Sequence, residues 1–270
     1  MKDIAAEDAR ELLAKTRSGN MTVLDVRQDW EYEEFHLPGA LLIPLPEIAD
    51  RWNEIDSEKP VLAYCRSGNR SRAASTFLES LGLTSVQNLL GGITAWNGDG
   101  AFGPVQGGME RLLGIHSEGD VLLIGYGMEE FLHYFYRRMG SDATTDDARE
   151  LYDRLAGLED HHMDSIYARY SRSVHALLDR DAFGKTVQFT VAEGGVDPDT
   201  FVADNAKSLN TTQDIVSMAM MFEAQALDFY MRAARLPANA EFAELLTSLA
   251  REEQAHLKVL GVFLDKRPLG

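Results

Sequence analysis

Hydrophobic positions change their period once along this chain of 270 residues. In the first hundred or so they come in short blocks: Thr22 to Val26, Leu41 to Pro44, Pro60 to Tyr64 and Val86 to Leu90. Each block is bounded by glycine, proline or charged residues, which predicts buried strands. Ser71 to Leu81 reads as a helix stopped at Gly82, and the opening stretch MKDIAAEDARELLAK as a polar amphipathic helix. Strands alternating with helices predict a mostly parallel sheet with helices on both faces. From Ser117 onward the period becomes about 3.6 residues. Long amphipathic segments occupy about 118–139, 145–179, 211–235 and 239–264. Ser141 to Asp147 supplies a turn and N-cap residues, and Leu236-Pro237 breaks the third segment from the fourth. Short turns of this kind predict two antiparallel helix pairs. The segment 181–210 holds Gly194-Gly195 and Asp197-Pro198-Asp199, and it predicts a crossover between the pairs with a short helix near Thr200 to Leu209.

The expected organisation is therefore an α/β domain over 1–106, a linker over 107–116 and an all-α four-helix bundle over 117–270. The glycine-rich run Asn97 to Gly108, with Pro104 inside it, has linker composition. Hydrophobic content of 45% lets both domains bury a core. A net charge of −17 argues against nucleic acid or an anionic membrane face as partner. The polar start is no signal peptide, and no run reaches the length of a membrane span. A single cysteine excludes internal disulfides and any site built from four cysteines. The expectation is a soluble cytoplasmic protein.

One pattern occurs twice in the helical segments. Glu129 is followed 30 residues later by Glu159 and then His162; Glu223 is followed 30 residues later by Glu253 and then His256. The offset between the copies is 94 residues at each position. Residues at i and i+3 share a helix face, so each Glu-x-x-His aims both groups one way. The distances from the intervening turns place the ligands of each pair at nearly the same height. A lone Glu-x-x-His on an amphipathic helix is usually surface charge. Here the motif recurs, and Glu223 sits among Met220, Met221, Phe222, Ala226 and Leu227, a costly place for an unpaired carboxylate. Four carboxylates and two imidazoles in a four-helix bundle suit two metal ions, iron or manganese before copper, with zinc compatible. Glu130, Asp160, His161 and Glu252 fall off the pattern and are expected on solvated faces. Tyr136 and Tyr230 belong to repeated Phe-Tyr pairs, expected in the core with hydroxyls able to support a ligand.

The cysteine lies between an apolar strand and a helix, in Cys65-Arg66-Ser67-Gly68-Asn69-Arg70-Ser71. Such a loop aims backbone N–H groups and a positive helix end at one point, which lowers a thiol pKa and cradles an anion. The thiolate could then take a sulfane sulfur as a persulfide and hand it to a nucleophile. Four residues separate Cys65 from Arg70, one fewer than a cysteine phosphatase uses around phosphate, so the cradle favours a single sulfur atom.

Residues 1–106 resemble a rhodanese domain. The resemblance is carried by Leu24-Asp25-Val26-Arg27, Glu31 to Ala40, Cys65 to Ser71, and Asn88 to Trp96. It implies thiosulfate:acceptor sulfurtransferase chemistry, with Cys65 as nucleophile and Arg66 or Arg70 assisting an anionic donor. Ser67, Gly68, Asn69 and Ser71 would complete the sulfur-binding loop. Asp25, Arg27 and His36 would hold the fold. Residues 115–265 resemble the ferritin-like superfamily and, within it, rubrerythrin-type di-iron proteins. That resemblance implies two iron ions held by Glu129, Glu159, His162, Glu223, Glu253 and His256, with Glu159 and Glu253 bridging, and oxidation of Fe(II) by peroxide or dioxygen. Two departures stand out. Ala226 replaces a further glutamate usual in rubrerythrins, and no rubredoxin-like four-cysteine iron site is available. An external electron donor is therefore expected, and a homodimer is compatible with the resemblance. Taken together, the chain reads as a sulfurtransferase joined to a di-iron domain with oxidase- or peroxidase-like redox chemistry. It would use thiosulfate or another sulfane-sulfur donor and a thiol or cyanide acceptor. The alternative is a carrier or sensor of sulfur and iron without turnover.

Overall fold

The computed structural model describes residues 1–112, 115–173, 179–186, 209 and 211–265. In the N-terminal half five strands form one parallel sheet in the order β1-β5-β4-β2-β3. They are β1 Lys2–Ile4, β2 Thr22–Asp25, β3 Leu41–Leu42, β4 Val61–Tyr64 and β5 Val86–Leu89. The helices are α1 Ala6–Lys15, α2 Asp29–Glu34, α3 Ile48–Arg51, α4 Asn69–Ser80 and α5 Gly92–Ala95. Successive residues of β4 alternate between the two faces. Val61, Ala63 and then Cys65 join the core under α4, while Leu62 and Tyr64 join the core under α1 and α5. That double burial is why the strands read as unbroken apolar runs.

The opening segment is a correction. Lys2–Ile4 is not the start of a helix but an edge strand paired to β5, with Asp3 opposite Asn88, and the helix begins at Ala6. A strand this short has no visible alternation, and only its distant partner makes it one. β3 stops at Leu42, because Pro44 has no N–H to donate and a 3-10 turn begins at Leu45.

Beyond the sheet the described residues are helical: α6 Glu118–Asp142, α7 Asp146–Ser173, α8 Arg180–Thr186, α9 Thr212–Arg235 and α10 Ala243–Asp265. The caps are side chains, as the sequence suggests. Ser117, Thr145 and Thr211 hydroxyls accept the N–H groups of Asp120, Ala148 and Asp214 at 3.2, 3.2 and 3.1 Å. α10 starts four residues after the predicted position. Pro237 opens a 3-10 segment through Phe242, tied back by the Asn239 amide donating to the Ala233 carbonyl at 3.1 Å. The predicted short helix near Thr200 to Leu209, and most of the predicted crossover, lie outside the described residues. So does the stretch 174–178 that would carry α7 to 179. Apolar faces of α6, α7, α9 and α10 meet in one core that includes Leu122, Ile166, Tyr230 and Leu249. Among the described residues no helix is long and apolar enough to cross a membrane.

The glycine-rich run between the halves is packed down. Met109 and Leu112 are buried in the helical core. The Phe102 N–H donates to Gln225 Oε1 at 2.7 Å, and Gln225 Nε2 donates back to the Phe102 carbonyl at 3.1 Å. Gln225, Asp228, Arg232 and Arg235 follow each other at helical spacing along one side of α9. Asp228, fully buried, accepts the Gly39 N–H at 2.9 Å and Arg232 Nε at 2.6 Å, and faces His36 Nε2 at 3.3 Å. His36 stacks on Tyr32 and donates Nδ1–H to its carbonyl at 2.7 Å. Arg232 also donates to the Val105 and Gly107 carbonyls at 2.9 and 2.7 Å. Arg235 reaches the carbonyls of Gly39 and Ala40. From α10, Gln254 donates to the Leu13 and Thr16 carbonyls at 3.1 and 2.8 Å and accepts the Ser18 N–H at 3.1 Å, so it caps the C-terminal end of α1.

Asp228 is the group whose loss this packing tolerates least. Asp228→Ala leaves a guanidinium, an imidazole and an N–H without their shared acceptor, and is expected to cost about 3–5 kcal/mol. Urea unfolding of the full chain measures this. Limited proteolysis should show cleavage appearing between residues 102 and 108 in the variant.

Candidate functional site

Cys65 directly follows β4 and is buried, at 1% exposure. The chain then turns through Gly68, at φ +92°, into α4. The Gly68 N–H donates to Sγ at 3.1 Å, and Ser71 Oγ lies 3.5 Å from the sulfur. Burial pushes the Cys65 thiol up, and the backbone N–H groups of Ser71, Ser67 and Gly68 favour the thiolate; the thiol lies below its ordinary value. A second turn supports the first from beneath. Ile93 N–H donates to the Cys65 carbonyl at 2.8 Å, and Thr94 N–H and hydroxyl to the Arg66 carbonyl at 3.1 and 2.8 Å. These bonds need Gly92, at φ +57°, because a Cβ there would sit 2.2 Å from the Cys65 carbonyl oxygen.

The two arginines are not equivalent. Arg70 gives a bidentate pair to Glu31, 2.7 Å on each side, and also feels the Cys65 sulfur, so its guanidinium is fixed beside the cradle. Hydrogen bonds from Arg70 hold the Glu31 carboxyl below the usual range despite partial burial. The Arg66 side chain is exposed, as are Ser67 and Asn69. Asp25 and Arg27 form a buried ion pair, with Arg27 Nη2 at 2.7 Å from Asp25 Oδ2 and also donating to the Phe35 carbonyl at 2.7 Å. They brace α2 as expected of fold-holding residues. His36 instead faces the helical half.

The six repeated residues converge into two triads, Glu129-Glu159-His162 and Glu223-Glu253-His256, each with ligand atoms within 4.8 Å of one another. Their four carboxylates are buried, at 1–4% exposure. His162 Nδ1 lies 2.7 Å from Glu159 and 3.5 Å from Glu129; His256 Nδ1 lies 3.0 Å from Glu253 and 3.1 Å from Glu223. The two imidazoles stack with centroids 3.6 Å apart and planes 5° from parallel, so the triads stand side by side. Burial pushes Glu159 well above the ordinary range and Glu253 up to about 7, only partly countered by their histidines. Burial opposes charge on His256, but Glu223 and Glu253 push it up to about 12. Two imidazoliums cannot neutralise four carboxylates, so the cluster either takes up protons or holds cations. The Tyr136 hydroxyl is buried without a hydrogen-bond partner among the described residues, and the carboxylates of Glu159, Glu223 and Glu129 are the charges acting on it. Such a donor set of oxygens and imidazole nitrogens fits two hard or borderline divalent ions.

Of the off-pattern residues, Asp160 and His161 are exposed as expected. Glu130 and Glu252 are not on solvated faces: both are half-buried, burial raises both pKa values, and Glu252 pairs with Arg169 across to α7. Asp3, Asn88, Glu31 and Asp228 also carry parts of the structure that no local pattern marks. Each is polar, and only the pairing of distant elements reveals its partner.

The rhodanese-like domain family matches residues 8–99. A sulfurtransferase of Allochromatium vinosum is 36% identical over 96 residues, 36% of this chain and 88% of that protein. A thiosulfate sulfurtransferase, GlpE, of Coxiella burnetii is 34% identical over 95 residues, 35% of this chain and 86% of its own. A solved rhodanese-like domain protein from Staphylococcus aureus is 30% identical, with 36% of this chain and 92% of that one covered and a TM-score of 0.33. The chain belongs to the rhodanese-like family, and does so through its N-terminal half.

The close approach at Gly92 predicts a contrast between two positive-φ glycines. Gly92→Ala is expected to cost about 3 kcal/mol or more, because backbone atoms block the methyl. Gly82→Ala, at φ +98° with nothing within 4 Å, should cost only the conformational strain of about 1–2 kcal/mol. Thermal unfolding of the two variants checks the order.

Proposed function

We propose that this protein is a sulfurtransferase working through a Cys65 persulfide, carried in one chain with a carboxylate-rich two-metal centre. The observation that supports the first part most directly is the position of Cys65 Sγ at the focus of the loop's N–H groups, with Arg70 fixed alongside. The kinship with sulfurtransferases over residues 8–99 supports it as well. In the proposed reaction the Cys65 thiolate attacks the outer sulfur of thiosulfate or another sulfane-sulfur donor. The S–S bond of the donor breaks, and sulfite leaves with the electron pair. The persulfide anion keeps its charge on the outer sulfur, within reach of the loop donors and Arg70. A thiolate or cyanide then attacks that outer sulfur, and Cys65 departs as thiolate. The buried sulfur restricts access to a slender donor and acceptor.

For the helical half, the paired triads support a ferritin-like, rubrerythrin-type centre with two iron ions, manganese or zinc being compatible with the same donors. Glu129, Glu159 and His162 would hold one ion and Glu223, Glu253 and His256 the other. Bound iron would supply one-electron redox chemistry that no side chain here provides. The protein's own residues exclude water and concentrate negative charge at the triads. The Tyr136 hydroxyl, buried near these carboxylates without a hydrogen-bond partner among the described residues, would be available to a bound ligand. An external electron donor is part of the proposal.

Two measurements test it. Wild type should transfer sulfur from thiosulfate to cyanide, and Cys65→Ala should lose the activity by at least about a thousandfold, as expected when a covalent nucleophile is removed. Protein from iron-supplied cells should retain close to two ions per chain by elemental analysis, whereas a folded His162→Ala/Glu223→Ala double variant should retain almost none. A silent wild type with full metal content would leave a carrier or sensor as the function.

A further inference from the structure

The Ser71 hydroxyl has one hydrogen and two neighbours that could take it. Cys65 Sγ is 3.5 Å away, and Asn88 Oδ1 is 2.6 Å away. Ser71 and Asn88 are both fully buried, so no water competes. The other end of the Asn88 side chain lies 2.8 Å from Asp3 Oδ1. Asp3 is held ionised by that bond first and by Arg72 at 2.9 Å. A carboxylate only accepts, so the Asn88 atom facing it is the amide NH2. The atom facing Ser71 is then the amide oxygen, and Ser71 must donate to it. The order of donation runs from Ser71 to Asn88 to Asp3, and the oxygen lone pairs of Ser71 are left facing the sulfur.

Given the reading of Cys65 as the nucleophile, on which this rests, we propose that Asp3 is a positioning residue for it. Acting through Asn88, Asp3 withholds the Ser71 hydrogen from the sulfur. In the resting thiol, Ser71 Oγ accepts from S–H. In the thiolate, the charge is held by the backbone N–H groups and Arg70, without a hydroxyl donor. The consequence is chemical. A thiolate with fewer donors is more basic and intrinsically more nucleophilic, and the best attacking thiol has a pKa near ambient pH rather than far below it. After transfer the charge sits on the outer sulfur, and the uncharged Sγ needs no hydroxyl donor. The edge strand that looked like the start of a helix thus reaches the reactive sulfur through two side chains.

The test is the pH dependence of Cys65 alkylation by iodoacetamide, on full-length protein in about 1 M salt, where the Debye length is near 3 Å and bare charge effects are screened. The charged groups facing the relay are Arg72 and the N-terminal amino group around Asp3, with Arg70 and Glu31 around the sulfur. Asp3→Asn lets the Asn88 amide turn over and frees the Ser71 hydrogen to donate to the thiolate. The alkylation midpoint should fall by roughly half to one pH unit, the worth of one hydrogen bond to a charged group. Ser71→Ala should leave the midpoint where it is or lower it, and Asp3→Asn should have no effect in the Ser71→Ala background. Arg72→Gln, which spares the relay, should leave the midpoint unmoved. The idea is overturned by a rise in Ser71→Ala, by no fall in Asp3→Asn, by a fall that persists without Ser71, or by an equal fall in Arg72→Gln. Alkylation needs no sulfur donor, so a protein that fails to turn over thiosulfate can still pass or fail here, and the two outcomes stay separate.

Discussion

The burial of charge on opposite sides of one helix holds this structure together. Glu223 of α9 faces the triads, while Gln225, Asp228, Arg232 and Arg235 face the sheet half. On the sheet-facing side, Gln225, Asp228, Arg232 and Arg235 find partners in the other part of the chain, at Phe102, at His36 and Gly39, at Val105 and Gly107, and at Gly39 and Ala40. An unpaired carboxylate such as Asp228 in that position would cost more than the packing around it returns. The halves are therefore held in one relative placement, and the position of α9 fixes both the triad it serves and the surface it docks.

That placement also sets where the Cys65 loop lies relative to the helical half. The contacts from the sheet half come from Leu13 to Ser18, His36 to Ala40 and the run after Ala101, and the first two of these groups precede the N-terminal ends of β2 and β3. Cys65 follows the C-terminal end of β4, which runs parallel to them. The Cys65 loop and the docking contacts with the helical half thus lie toward opposite ends of the strands.

Around Cys65 the governing constraint is steric. Two loops must approach backbone to backbone, with Gly68 and Gly92 both in the left-handed region, before N–H groups can converge on the sulfur. The buried polar residues nearby then decide where single hydrogens go. Their roles follow from donor and acceptor counts rather than from charge.

Much was legible in the linear chain. The change of period marked where sheet gives way to helices, since alternation on strands and amphipathicity on helices are local consequences of which face is buried. The repeated Glu … Glu-x-x-His named the residues that converge, because helical geometry and equal distances from turns are also local. The cysteine loop was legible from its glycine, its arginines and the residues after Asn88. Tertiary structure alone decided the rest. β1 became a strand only by pairing with β5, Asp3 met Asn88 only through that pairing, and Glu130 and Glu252 became half-buried through tertiary packing. Asp228 and Gln254 look like surface residues on amphipathic helices until the other half of the chain is laid against them. Sequence encodes which face of an element is polar; what that polar face meets, water or another part of the protein, is set by contacts between residues far apart in the chain.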